Sequence, residues 1–136
     1  MREILFRGKR KDNGELIVGH LLWYEDGRAR ITPRHTDIFR VEGEDIIQHI
    51  AYEVFPETVG QYTGLTDKNG TKIFEGDIIR ESYGCRYDDF YIKFIKGRFV
   101  TVYIPTDRSN YSWYEGDSEI VGNIHNNPEL FKGGAE

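Results

Sequence analysis

The residues that most readily bind metals are scattered along this chain. The four histidines and the one cysteine form no His-x-His or Cys-x-x-Cys pair; they stand at His20, His35, His49, His125 and Cys85. Asp67 and Asn69 begin like a calcium-binding loop, but Gly70 comes too early and Ile78 occupies the place of the closing glutamate. The sequence therefore predicts no metal site, and it favours a β-turn over residues 67–70.

Nucleophilic and acid–base catalysis have no matching set of residues either. Cys85 has one cationic neighbour, Arg86, and a single cation does not make a catalytic dyad. Asp88 and Asp89 would point to opposite faces of an extended strand. Glu75 and Asp77 fit a turn and a strand entry better than a carboxylate pair, and the glycines are spaced as turns rather than as a phosphate-binding loop. We predict no catalytic residues, no cofactor and no enzymatic activity.

One stretch interleaves aromatic and basic side chains in a way that could stack bases and contact phosphates. Its members are Tyr83, Arg86, Tyr87, Tyr91, Lys93 and Arg98. Glu81, Asp88 and Asp89 stand among them and would repel phosphate. A solvated surface or a subunit interface is therefore the favoured interpretation of this stretch.

Charge is distributed unevenly along the chain, whose formal net charge is −5. Residues 1–40 carry nine Lys or Arg against six Asp or Glu, whereas residues 41–136 carry nine against seventeen. Four basic residues near the start could contact phosphate or an acidic partner: Arg7, Lys9, Arg10 and Lys11. A solvated hairpin tip is the favoured interpretation of this cluster. The acidic remainder argues against a dedicated nucleic-acid binder.

The elements that must position these residues are predicted to be strands joined by glycine turns. Asn13-Gly14 and Asp26-Gly27 each separate two strand-like runs and predict an N-terminal meander. The run over 44–50 fits a strand or one helical turn, and Pro56 confines its neighbours to an edge strand or an extended segment. Near the end, a strand over 119–124 precedes a short helix at Pro128 that Asn127 would cap.

A turn at Lys96-Gly97 fixes the register of the hairpin around it. Position 94 then pairs with 99, 92 with 101 and 90 with 103, and paired residues share a face. The face predicted to enter the core holds Phe90, Ile92, Phe94, Phe99, Thr101 and Tyr103. The opposite face is predicted to be an interaction surface with an apolar centre and a charged rim, made of Tyr91, Lys93, Ile95, Arg98, Val100 and Val102.

Three segments of the chain resemble the YopX family of small phage and prophage proteins. They are the stretch from Gln61 to Arg80, the opening Met1 to Arg10, and the closing Ile120 to Leu130. The resemblance implies a mainly β fold with an SH3-like small barrel, and it supplies no catalytic residues. In the central segment we predict structural roles for Tyr62, Gly64, Leu65, Phe74, Gly76, Asp77 and Ile78.

The predicted organisation is a single domain over residues 1–136. A meander and a connection occupy 1–51, a barrel-forming part occupies 52–131, and 132–136 form a tail. A lone cysteine fits a reducing compartment, and neither a signal peptide nor an apolar run of spanning length is visible. With the family resemblance, this predicts the cytoplasm of a bacterial host.

Three functions compete on this evidence. The favoured one is a non-enzymatic phage or prophage accessory protein whose fold mediates protein–protein contact, with itself or with another phage or host protein. The first alternative is a nucleic-acid-binding module that uses the basic N-terminal hairpin. The second alternative is a small ligand-binding protein or hydrolase.

Overall fold

The computed structural model describes residues 3–33, 37–41, 44–48, 51–110 and 118–131. Strands dominate these residues and pair in antiparallel fashion. The chain forms two compact units, residues 3–61 and residues 62–136, and it passes from the first to the second between Gln61 and Tyr62.

The N-terminal unit is a small antiparallel sheet with a separate hairpin. The sheet order is β6-β3-β2-β1, followed by the first two residues of β7, which pair with β1. The hairpin β4–β5 lies in the stretch whose sequence pattern fits both a strand and a helical turn. The elements are β1 Phe6–Lys9, β2 Leu16–Trp23, β3 Ala29–Thr32, β4 Asp37–Val41, β5 Glu44–Gln48, β6 Tyr52–Val54, a 3-10 turn Pro56–Thr58, and β7 Gly60–Thr66.

The four strands β6-β3-β2-β1 wrap around a core of Ala29, Ile31 and Val54, all fully buried. The end of β1 bends back to β6: Arg10 bridges Val54, Lys11 N donates to Glu53 O at 3.0 Å, and Phe55 N donates to Lys9 O at 2.9 Å. These bonds link the last residues of β1 to β6 at one point. Glycine permits the close approach on the core side, because a Cβ at Gly8 would lie 3.0 Å from Val54 Cβ.

The C-terminal unit contains an open five-stranded sheet in the order β12-β11-β10-β9-β13. Tyr62 and Thr66 of β7 pair with β8. The further elements are β8 Lys72–Phe74, β9 Asp77–Tyr83, β10 Arg86–Ile95, β11 Arg98–Tyr103, β12 Arg108–Asn110, β13 Ser118–Asn123, and one helical turn, α1 Pro128–Phe131.

The β10–β11 hairpin has the predicted register, with Phe94 opposite Phe99 and Phe90 opposite Tyr103. Lys96 and Gly97 have φ of 51° and 82°. Two consecutive positive φ angles are the signature of a type I′ turn, whose twist matches that of the flanking strands. The local turn therefore sets this register.

Two finer features of the predicted fold are not found. The mainly β class is confirmed, but the described strands form open sheets and not a closed SH3-like barrel. The predicted C-terminal helix is a single turn. The Asn127 side chain, which was predicted to cap this turn, accepts a hydrogen bond from Asn123 N at 3.2 Å and so reaches back to β13. The predicted tail, 132–136, lies outside the described residues.

Candidate interaction surface

The apolar centre of the predicted interaction surface is buried inside the C-terminal unit. Tyr91, Val100 and Val102 are at most 9% exposed and pack with Ile78 and Ile104. Burial, with a smaller contribution from Asp107, raises the pKa of the Tyr91 hydroxyl. Of the other predicted members, Lys93 and Arg98 are exposed and Ile95 is half-buried. The prediction of an exposed apolar patch at this place was therefore wrong.

The reason is that this sheet buries apolar side chains on both of its faces. Ile73, Ile79 and Ile92 form a second core cluster on the face that was predicted to be the core. Phe90 and Phe99 pack against that cluster, whereas Phe94, which lies edge-on to Phe99, is 46% exposed. Alternating apolar residues do not reveal which face another segment will cover.

The basic cluster near the N-terminus is largely engaged within its own unit. Arg10 donates two hydrogen bonds to Asp12, at 2.9 and 2.6 Å, and its guanidinium stacks 3.9 Å from the centre of the Tyr52 ring. Lys11 pairs with Glu53 at 2.8 Å, and this bond lowers the pKa of the Glu53 carboxyl. These partners neutralise two of the four cations that the nucleic-acid hypothesis requires.

The backbone of Lys9 takes part in the closure of the N-terminal sheet. Lys9 N donates to the Thr58 hydroxyl at 2.9 Å, and that hydroxyl donates to Phe55 O at 2.6 Å. Arg7 lies opposite Val18 on β2 and opposite Gly60 on β7. The structure therefore gives this cluster a structural role in the hairpin.

Asp67 is the centre of the turn in the family-like segment. One carboxylate oxygen accepts from Asn69 N and Thr71 N, and the other accepts from Ile120 N of β13, at 2.9 to 3.1 Å. Burial by itself would raise the pKa of Asp67, but these three backbone donors outweigh it and hold the pKa below its usual value. Lys68 N also donates to Ser118 O, so the turn covers the outer edge of β13.

The residues predicted to be structural in this segment are mostly inside. Phe74, Asp77 and Ile78 are at most 4% exposed, and the Asp77 carboxylate accepts from Phe74 N at 2.8 Å. The Tyr62 ring lies 5.5 Å from that of Phe74. Leu65 is half-buried and Gly64 is exposed.

The backbone of Gly76 bonds to β10 on one side and to the residue that follows β13 on the other. Its N–H donates to Ile92 O at 2.8 Å, and its carbonyl accepts from Ile124 N at 2.9 Å. Its φ of +92° suits glycine, and a Cβ there would lie 3.3 Å from the His125 ring. The Gly-Asp pair therefore places β9 between β10 and β13.

The carboxylates and tyrosines of the β9–β10 hairpin do not converge on one site. Asp89 forms a bidentate pair with Arg80, at 2.8 and 3.1 Å, while Asp88 accepts from the Tyr103 hydroxyl. Tyr83 and Tyr87 are both 56% exposed but belong to opposite faces, because Tyr83 pairs with Arg86 and Ser82 pairs with Tyr87. With Tyr91 buried, no continuous stacking platform is formed.

Individual groups on this hairpin are nevertheless well partnered. The Tyr83 hydroxyl donates to Glu81 at 2.6 Å, which with the surrounding burial and charge raises the pKa of Tyr83 to about 12. The guanidinium of Arg80 stacks 3.9 Å from the centre of the Tyr87 ring.

Cys85 is exposed at the hairpin tip. Among the described residues, no three His, Cys, Asp or Glu side chains are grouped to hold a metal.

The exposed surface that the sequence analysis missed lies on β2. Alternate residues of a strand share a face, and four of them from 18 to 24 are exposed. The apolar members are exposed by 36%, 44% and 41%, in chain order. We call this row the open β2 face; its residues are Val18, His20, Leu22 and Tyr24, the last of which directly follows the strand.

Arginines flank this row. Arg7 of β1 lies opposite Val18, and Arg30 of β3 lies opposite Leu22. The guanidinium carbons of Arg28 and Arg30 each lie 5.7 Å from the centre of the Tyr24 ring, within cation–π distance. The signal in the sequence was the run Leu16–Trp23, in which the residues of both strand faces are mostly apolar. The exposed face of an antiparallel sheet is normally polar.

A comparison with protein families matches residues 5–132 to the model described as YopX protein. The match covers nearly the whole chain. The chain belongs to the YopX family. A search among curated proteins gave no match.

Among solved structures, the YopX chain is similar to the crystal structure of protein EF1440 from Enterococcus faecalis. The two share 25% sequence identity and a TM-score of 0.64. The likeness covers 96% of this chain and 99% of that chain, so it supports the described fold over nearly its full length. Within the described ranges, no helix has the length and apolar character that crossing a bilayer requires.

Proposed function

We propose that this YopX protein is a non-enzymatic interaction module that binds a protein partner through the open β2 face. The single observation that carries the proposal is the apolar outward row of β2, in which Val18, Leu22 and Tyr24 are exposed together. Antiparallel sheets normally present polar side chains to water. An apolar row in that position is typical of a surface that a partner covers.

The composition of the surface supports a protein as the partner. Tyrosine and arginine are over-represented among the residues that dominate binding energy at protein interfaces. Here the guanidiniums of Arg28 and Arg30 each lie 5.7 Å from the centre of the Tyr24 ring, and these contacts favour one position of the ring. A side chain that is ordered before binding loses less conformational entropy on association.

The setting of this function is part of the same proposal. Membership in the YopX family supports a phage or prophage origin and an accessory role in the cytoplasm of the bacterial host. The hydrolase alternative has less support, because Asp67 and Asp77 accept hydrogen bonds from backbone N–H groups and Asp89 is paired with Arg80.

The test is a quantitative capture experiment from a bacterial host extract. The baits are the wild type, the double variant Val18→Ser/Leu22→Ser, and Phe94→Ser as the matched control, since Phe94 is an equally exposed apolar residue of the other unit. We expect the wild type and Phe94→Ser to retain the same proteins and the double variant to lose them, before and after nuclease treatment. Equal capture by all three baits, or capture that nuclease abolishes, would refute the proposal.

A further inference from the structure

The charges around the open β2 face indicate which class of protein partner it fits. We infer that its occupant is an acidic segment of a different protein, in which Asp or Glu side chains alternate with apolar ones. This inference rests on the proposed interaction function and specifies the chemistry of the partner.

Arg30 supplies the main argument. It is half-buried, stands opposite Leu22, and its side chain lies beside the Tyr24 ring. Its cross-strand neighbour on the other side is Glu53, whose carboxylate is bonded to Lys11 at 2.8 Å. Among the described residues, no carboxylate forms an ion pair with Arg30. A guanidinium beside an apolar row fits a carboxylate that arrives with an apolar side chain.

The other charges of this face point the same way. Arg7 flanks the row at Val18, on the opposite side from Arg30. Arg28, beyond the row, is already paired with Asp26 at 2.7 Å. Arg7 and Arg30 therefore place cations on both sides of the row. The described carboxylates that neighbour Arg30 and Arg28 are Glu53 and Asp26, which are already bonded to Lys11 and Arg28.

A second copy of the chain fits this arrangement poorly. In a symmetric face-to-face dimer the same patch meets itself. Val18, His20, Leu22 and Tyr24 carry no carboxylate, so the row of a second copy offers Arg30 no acidic partner. Both copies would also bring the same bordering arginines, and like charges at an interface oppose association.

Nucleic acid fits less well than an acidic protein segment. Phosphate backbones are bound by grooves dominated by basic side chains. The row itself holds Val18, His20, Leu22 and Tyr24, with no Lys or Arg among them, and the exposed carboxylates of Glu25 and Asp26 lie at the Tyr24 end. An acidic segment with alternating apolar residues matches the spacing of a strand face, whose side chains repeat every second residue.

The experiment selects peptides from a bead-displayed library of random 12-residue sequences against the purified protein. We expect the enriched sequences to contain Asp or Glu alternating with Leu, Ile or Phe. A synthetic peptide of the consensus sequence, measured by fluorescence anisotropy, should bind about tenfold more weakly to Arg30→Gln and to Leu22→Ser. Its counterpart with Lys in place of each acid should not bind. Arg86→Gln and Phe94→Ser are the matched controls, and their affinities should equal that of the wild type.

The outcomes separate the inference from the function on which it rests. Enrichment of neutral or basic peptides that Leu22→Ser no longer binds overturns the acidic partner and leaves the interaction function standing. Enrichment of acidic peptides that Leu22→Ser still binds refutes the open β2 face itself. Any of three further results overturns the inference. These are a library that yields no enriched peptide, self-association of the protein that Leu22→Ser abolishes, and tight binding of a 12-nucleotide single strand.

Discussion

Asp67 connects two segments that lie 53 residues apart in the sequence, through the hydrogen bond from Ile120 N. The bond from Thr71 and the bond from Asn69 close the turn on the same side chain. The sequence predicts the turn, because Asp, Asn and Gly favour it locally. The partner on β13 could not be predicted, since nothing in residues 67–71 specifies a distant strand.

We expect Asp67→Asn to lower the free energy of unfolding by about 1–3 kcal/mol at pH 7, because one buried backbone donor is left facing an amide N–H. The folded-state pKa of Asp67 lies below its unfolded value. Its stabilisation is therefore complete above the usual carboxyl range and is lost as the pH falls through the folded-state pKa. The stability gap between wild type and Asp67→Asn should narrow in acid.

Urea unfolding at pH 7 and near pH 3 measures this gap. Asp107→Asn is the matched control, because Asp107 is exposed and asparagine also tolerates its φ of 56°. A gap that stays constant across this pH range would show that the Asp67 charge has no part in holding the turn.

Phe74 gives a second prediction at this scale. Its ring is 4% exposed and packs beside Tyr62, so Phe74→Ala removes a buried ring and leaves a cavity. The expected loss is about 3–5 kcal/mol in denaturant unfolding. Phe94→Ala, at a ring that is 46% exposed, should cost much less. Similar losses in both variants would contradict the core position of Phe74.

Among the elements, the strand pair β2–β3 depends on a glycine. The two strands pair from His20 opposite Thr32 to Trp23 opposite Ala29. A Cβ at Gly19 would lie 2.0 Å from Thr32 O, and a backbone atom cannot rotate away as a side chain can. Gly19 thus lets the chain after β3 pass directly over β2.

We expect Gly19→Ala to cost about 3 kcal/mol, because the backbone must shift to relieve the overlap. Gly27→Ala separates this steric cost from a conformational one. Gly27 has φ of +90° with no atom within 4 Å of its would-be Cβ, so strain alone should cost about 1–2 kcal/mol. Thermal unfolding of both variants is the measurement, and a Gly19→Ala midpoint equal to that of the wild type would disprove the close approach.

Hairpins were the most predictable elements, because the residues that determine a hairpin lie in its turn and in the two strands beside it. The turns at Asn13-Gly14, Asp26-Gly27 and Lys96-Gly97 all join paired antiparallel strands. β6 ends just before Pro56 and stands last in the order of its sheet, as the proline predicts, but its outer side also bonds to the end of β1. Local chemistry cannot specify how hairpins assemble, and the predicted closed barrel failed at that level.

At the scale of the whole molecule, the interaction surface predicted on β10 and β11 was misplaced, because local patterns do not specify how hairpins pack together. The β10–β11 register was right, yet both faces of that hairpin are apolar and the structure buries both. The open β2 face has a similar pattern, but its outward row remains exposed. Which apolar face stays uncovered depends on long-range packing, and the pattern of one strand does not contain that information.

The last prediction concerns the state of the protein in solution. With Tyr91, Val100 and Val102 buried inside one chain, the surface first expected to drive self-association is already covered. The row that remains exposed carries no carboxylate and is bordered by Arg7 and Arg30, so two copies would bring positive charge together. We therefore expect sedimentation equilibrium to give a monomer at tens of micromolar, the range in which weak association would be visible. Raising the salt concentration screens the arginines, so any residual dimer should increase with salt. A dimer at low salt that Val18→Ser/Leu22→Ser dissociates would mean that apolar contact on this face outweighs the repulsion.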